Sequence, residues 1–261
     1  MSRARVVLSP STLTVIGEQP MSRSAVWGRN LGGFAVLFAI IAFAFHAFGA
    51  AETPSFLMAM KISLVLATIA ILLSIRAFGI IWRRGKRGLS SAILGIFYGI
   101  LLWLVPAGVF AMAIQYPKTT DVITQGHEPL SFLKIEGVRP AWANPVTLDK
   151  VMPSPLSRAL LTDATSDEVY GIITDMVLDR DWDIVADRPP DEKKPREASL
   201  QATETSFAGF TDDIVIEISI EDKQTRVDMR SASRIGTFDL GQNAARIDAF
   251  MVNLRQKLNE R

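Results

Sequence analysis

The sequence predicts two parts: an α-helical membrane domain of three transmembrane helices, then an extracytoplasmic α+β domain whose antiparallel sheet of about four strands is covered by helices. Three observations carry this. Hydrophobic residues make up 49% of the 261, with a mean hydropathy of +0.23, and the long apolar runs all fall before residue 117. Cations gather in the N-terminal tail and in one loop between those runs. The second half alternates apolar and polar residues in short runs, bracketed by two helical patterns.

The formal net charge of +1 hides two opposite halves. Before Pro117 there are 10 Lys and Arg against Glu18 and Glu52, and from Pro117 onward 18 against 25 Asp and Glu. An acidic second half argues against nucleic acid, which needs a basic face. With no cysteine, disulfides and thiolate metal sites are excluded. The two histidines, His46 and His127, are too few for an imidazole metal site, so neither metal nor cofactor is expected.

Residues 1–30 are polar, with Arg3, Arg5, Arg23 and Arg29, and read as a cytoplasmic tail; Met21 is a second candidate start. Residues 31–116 form the transmembrane region. The first run, 31–51, is broken only by His46 and is long enough at ~1.5 Å per residue to cross a ~30 Å hydrocarbon core. The second, within 55–82, contains Lys61 and Arg76. The stretch between them reaches only ~21 Å as helix, so both cations are expected to snorkel to opposite surfaces. The third, 89–115, carries Ser91, Gly95 and Gly99 at four-residue spacing, a face that lets another helix approach, either within this set or from a second copy. Pro106 frees a carbonyl and bends this run. Arg83, Arg84, Lys86 and Arg87 separate the second and third runs, while the connection at residues 52–54 has no cation. By the positive-inside rule the tail and the basic loop are cytoplasmic, and everything after Tyr116 lies across the membrane, periplasmic in a bacterium with an outer membrane.

Residues 117–143 read as a proline-rich spacer, part of which could belong to the fold through Phe132, Leu133, Ile135 and Trp142, and 144–261 as the outer domain. Ser166 would cap a helix with Val169, Ile172, Ile173 and Met176 on one face. Strands are expected at 182–186, 198–205, 213–221 and 225–231, the last two joined as a hairpin through 221–224, with an exposed loop at 187–197. In the third strand Ile214, Ile216, Ile218 and Ile220 share the core face. The opposite sheet face carries Gln201, Thr203, Thr205, Glu217, Ser219, Arg226, Asp228 and Arg230, a solvated surface or a docking surface. The final helix, 244–259, is capped by Asn243 and buries Ile247, Phe250, Met251, Leu254 and Leu258.

The densest cluster of polar residues lies where the last strand meets this helix. Arg230, Ser231, Ser233, Arg234, Asn243 and Arg246 would stand near a helix N-terminus, where free amides and guanidinium forks favour an anion. The competing reading pairs Arg230 and Arg234 with Asp212, Asp213 and Asp239 and fastens a long loop. These segments resemble the signature of a bacterial and plastid family named domain of unknown function 1499: Gly209, Phe210, Asp212 and Asp213, then Arg230, Ser231, Ser233, Arg234, Gly236, Asp239, Gly241 and Asn243. The resemblance covers residues 144–258. It implies the outer domain's fold and a structural part for the glycines, Phe210 and the aspartates, and it implies no activity.

No Ser-His-Asp set, zinc spacing or phosphate-cradling loop appears, and no catalytic residue is assigned. The residues favour a non-catalytic, multi-pass inner-membrane protein that presents an envelope interaction module. Its partners would be the lipid bilayer and an envelope protein or anionic ligand. Two alternatives stay open: an envelope enzyme using Asp212, Asp213 and Asp239 with Arg230 and Arg234, or a subunit of a membrane transport assembly.

Overall fold

The computed structural model describes residues 20–126, 130–133, 135–191 and 197–260. Most of the N-terminal tail, His127 and the middle of the loop expected at 187–197 lie outside the described residues. The chain divides into two compact units, Met1–Ala39 with Lys61–Leu104, and Ile40–Met60 with Val105–Arg261.

Three helices, α1 (Arg23–Ala47), α2 (Thr53–Arg84) and α3 (Leu89–Ala113), are each long and apolar enough to cross a membrane. α1 begins at Arg23, so the last residues of the expected tail are helical. Hydropathy marks the part of a helix that suits lipid, whereas the helix itself runs on until its backbone bonding stops.

Within the first unit the three helices meet through small residues. A Cβ on Gly95 would collide with the Ser74 hydroxyl and come within 2.8 Å of the Gly28 carbonyl carbon. One on Gly99 would collide with Ile71 and lie 3.0 Å from the Ala67 carbonyl oxygen. Ser91 is buried beside them. The Ser91, Gly95 and Gly99 face expected to serve either packing or dimerisation is thus filled from within the chain. Lys61 and Arg76 are both exposed, as snorkelling requires.

In the second unit the elements are β1 (Asp121–Gln125), β2 (Met152–Arg158), β3 (Leu160–Thr162), α4 (Ser166–Leu178), β4 (Asp183–Arg188), β5 (Glu197–Thr205), β6 (Thr211–Glu221), β7 (Gln224–Ser233) and α5 (Gln242–Asn259). They build one mixed sheet of seven strands in the order β2-β1-β7-β6-β5-β4, with β3 also pairing β7. The expected antiparallel four are β4 to β7, and three more strands join them. The β1–β2 pair is parallel, so the sheet is not purely antiparallel. β1 lies inside the stretch expected to be a spacer; its five residues DVITQ are too short to show a period, and both its faces are covered. β2 contains Pro153 and Pro155, which a strand tolerates only at an edge, and β2 is an edge strand.

One sheet face packs on α4 and α5 through a core that includes Ile214, Ile216, Ile218, Val227, Met229 and Phe250. Ile220, expected in this core, is 37% exposed near the hairpin end. α4 is capped by Thr165, not by Ser166: the Thr165 hydroxyl accepts from the Glu168 amide and the Glu168 carboxylate from the Thr165 amide, a capping box. Asp222 and Lys223 both take positive φ in the two-residue β6–β7 turn, matching the twist of the strands they join.

The second sheet face, expected to be open, is covered by the segment 130–133 and 135–151, irregular apart from one 3-10 turn at Leu148–Lys150. Ile123 and Val215 pack there with Leu130, Phe132 and Val151. Gln201 and Thr203, expected in solvent, are buried. We call this covering segment the strap.

Candidate functional site

Side chains alternate across a strand, so the polar cluster at the end of β7 cannot act as one group. Ser231 and Ser233 face α5; Arg230 and Arg234 face the strap.

On the helix face Asn243, fully buried, sits at the centre. Its Nδ2 donates to Ser233 Oγ at 2.9 Å, and its Oδ1 accepts from Ser231 Oγ at 2.7 Å and from Arg246 Nη1 at 2.6 Å. Arg246 also pairs with Asp212 at 2.7 Å and with Glu204. The capping role expected of Asn243 falls to Asp239, whose carboxylate accepts from the amides of Gly241 and Asn243, both at 2.9 Å. The α5 N-terminus is therefore already satisfied by a carboxylate. An external anion there would have to displace it.

On the strap face each arginine holds a carboxylate, and Arg230, Arg139 and Arg226 also donate to a backbone carbonyl. Arg230, 1% exposed, makes a two-pronged pair with Asp121 at 2.6 and 2.8 Å. It also donates to the Leu130 carbonyl and lies 5.0 Å over the Phe132 ring. Arg234 pairs with Asp213 at 2.7 Å, and Arg139 pairs with the same carboxylate and donates to the Asn144 carbonyl. Arg226 pairs with Asp228 at 2.6 Å and donates to the Gly126 carbonyl at 3.0 Å. Its hydrogen bonds to Asp228 raise its already high proton affinity. Burial lowers the pKa of Arg139, and the neighbouring cations Arg234 and Arg230 lower it further. Burial likewise lowers that of Arg234. These two guanidinium groups are thus under-compensated where they stand.

Between strap and sheet lies a cavity of about 440 Å³. Phe132, Leu133, Ile135, Val138, Val146 and Leu148 give it apolar walls. Gln201, Asp213, Arg139 and Arg230 form its polar side, with Gln201 Oε1 accepting from the Leu133 amide at 2.9 Å. The ion pairs match three guanidinium groups, Arg139, Arg230 and Arg234, to two carboxylates, Asp121 and Asp213. Among the described residues the polar side therefore keeps one positive charge in excess within this network.

The signature residues thus supply one side of most pairs in the two networks, with Asp121, Arg139, Glu204 and Arg246 completing them. A family model described as protein of unknown function (DUF1499) matches residues 141–254. The C-terminal domain is a DUF1499 domain. The match takes in β2 to β7 and most of α5, and leaves out the three apolar helices, β1 and Arg139. No curated protein matches the chain.

Asp212, Asp213 and Asp239, the carboxylates of the alternative enzymatic reading, do not converge in the DUF1499 domain. Asp212 answers Arg246 on the helix face, Asp213 answers Arg234 and Arg139 on the strap face, and Asp239 caps α5. Arg139 and Asp121 escaped sequence reasoning because they lie in the segment read as a spacer, of which only the packing of Phe132 and its apolar neighbours was expected. The one available signal was an aromatic residue and a lone arginine, Phe132 and Arg139, in a stretch otherwise rich in proline and glycine.

Proposed function

We propose that the chain is a membrane-anchored binding module of the cell envelope, and that the strap cavity of its DUF1499 domain takes a small ligand with an apolar body and one anionic group. The observation that carries this is the pairing of apolar walls with a desolvated polar side holding three guanidinium groups against two carboxylates. A cavity of about 440 Å³ falls within the ~300–1,000 Å³ of small-molecule sites. The expected anion preference is kept, but it moves from the α5 N-terminus to Arg139, Arg230 and Arg234. The supports for an outward-facing domain are the cations Arg83, Arg84, Lys86 and Arg87 between α2 and α3, the cation-free α1–α2 connection, and an odd number of spans. This makes an inner-membrane protein with its N-terminus in the cytoplasm.

The test titrates full-length protein in lipid nanodiscs with octanoate, and with octanol and octylammonium as carriers of the same body, subtracting empty discs. Octanoate binds tightest, and Arg139→Gln weakens it about tenfold or more, the loss of one charge-assisted contact. Arg234 stays on Asp213 in that variant, so no buried carboxylate is orphaned. Octanol binding as well as octanoate, or an unchanged Arg139→Gln, overturns the reading.

A further inference from the structure

We infer that the tip of the β5–β6 turn is a lipid-contacting wedge, with Phe207 entering the bilayer interface. The turn is tight: the Gly209 amide donates to the Ser206 carbonyl, and the Ser206 amide to the Phe210 carbonyl, both at 2.8 Å. Its tip is Phe207, 91% exposed.

The base of the same turn shows where that tip stands. Phe210 meets the His46 ring edge-on at 5.1 Å and the Phe56 ring at 6.0 Å, while His46 lies flat on Phe56 at 4.5 Å. Gly209 takes φ +85°, and a Cβ there would come within 2.5 Å of the His46 carbonyl oxygen, so only glycine permits this approach. His46 lies in the last turn of α1, its Nδ1 bonded to the Ala51 carbonyl at 3.0 Å, and Phe56 lies in the first turn of α2. The turn is thus clamped to the connection between two helices apolar enough to cross a membrane.

Phe45, Phe48 and Met58 on that connection are also exposed, at 56%, 88% and 59%. Their surface continues the apolar flanks of α1 and α2, which makes lipid the occupant and sets the depth at the headgroup and acyl boundary. Phe207, three residues before Phe210, emerges at that depth. The inference does not depend on the cavity.

The cysteine-free sequence allows a direct test. Phe207→Cys carries an environment-sensitive fluorophore on full-length protein in vesicles of phosphatidylcholine and phosphatidylglycerol. Lys223→Cys, at the other end of the 11-residue β6, is the aqueous control, roughly 35 Å away at ~3.3 Å per residue. Nitroxide lipids quench the label at 207 several-fold more than the label at 223, and aqueous iodide does the reverse. Equal iodide quenching at both positions overturns the wedge. So does protection at 207 from both quenchers, which would mean a protein cover instead of lipid.

Discussion

Among the described residues Asp121 is the only carboxylate paired with Arg230, and both side chains are buried, at 8% and 1% exposure. Removing one partner of such a pair leaves an uncompensated charge in a medium that cannot solvate it. Asp121→Ala is expected to cost about 3–5 kcal/mol. For a domain of this size that lowers the unfolding midpoint by roughly 6–20 °C, read by thermal denaturation of full-length protein in detergent. The double replacement of Asp121→Leu with Arg230→Met should recover most of the loss, because an apolar pair of similar volume carries no desolvation penalty. A drop of less than about 2 °C in the single variant would mean water reaches the pair. Tyr170 gives a pH test. Its hydroxyl donates to Asp187 at 3.1 Å, and burial, then this bond to a carboxylate, raises its pKa above the ordinary 10.0. A raised folded-state value means the contribution is fully present below about pH 10 and fades as pH climbs through the folded value. Tyr170→Phe should therefore show a shallower loss of stability in alkaline titration than the parent protein, compared by the pH dependence of the denaturation midpoint.

Among elements, α4 and α5 and the strands β4 to β7 were legible, because each separates polar from apolar residues in a regular period. Ile214, Ile216 and Ile218 of β6 are the plainest case. β1 and β2 were not legible. β1 is only five residues with Val122 and Ile123 side by side, too short to show a period, and prolines at β2 mask an edge strand as a loop. The capping box of α4 was displaced by one residue, since Thr165 and Ser166 are chemically equivalent caps until the Glu168 partner chooses between them. Thr165→Ala should cost about 0.5–2 kcal/mol, measured as the shift in denaturation midpoint, while Ser166→Ala should cost less. In the membrane unit Gly95→Val should disrupt helix packing, because its Cβ has only backbone and a buried hydroxyl to displace. Its signature is faster proteolysis of the detergent-solubilised helices with no change in oligomeric state. A change from oligomer to monomer would instead assign this face to a second copy.

For the whole molecule, the placement of cations in the loops that join the spans is the basis of the proposed orientation. A reporter that works only outside the cytoplasm, fused after Arg261, should be active, and one that works only inside should be silent. Reversing the bias by changing Arg83, Arg84, Lys86 and Arg87 to Glu should weaken or invert that result. The opposite outcome in the parent chain would remove the envelope role.

Hydropathy and charge placement along the chain were enough to mark three candidate spans and a separate α+β domain, since burial in lipid and strand alternation are properties of consecutive residues. Which side of the sheet each arginine faces, and that a coil read as a spacer becomes the third layer, depended on the fold. Pairing Asp121 with Arg230 or Arg139 with Asp213 joins residues 109 and 74 positions apart. Such a pair exists only once β1 has docked beside β7 and the strap has closed over them, and no local pattern records that closure.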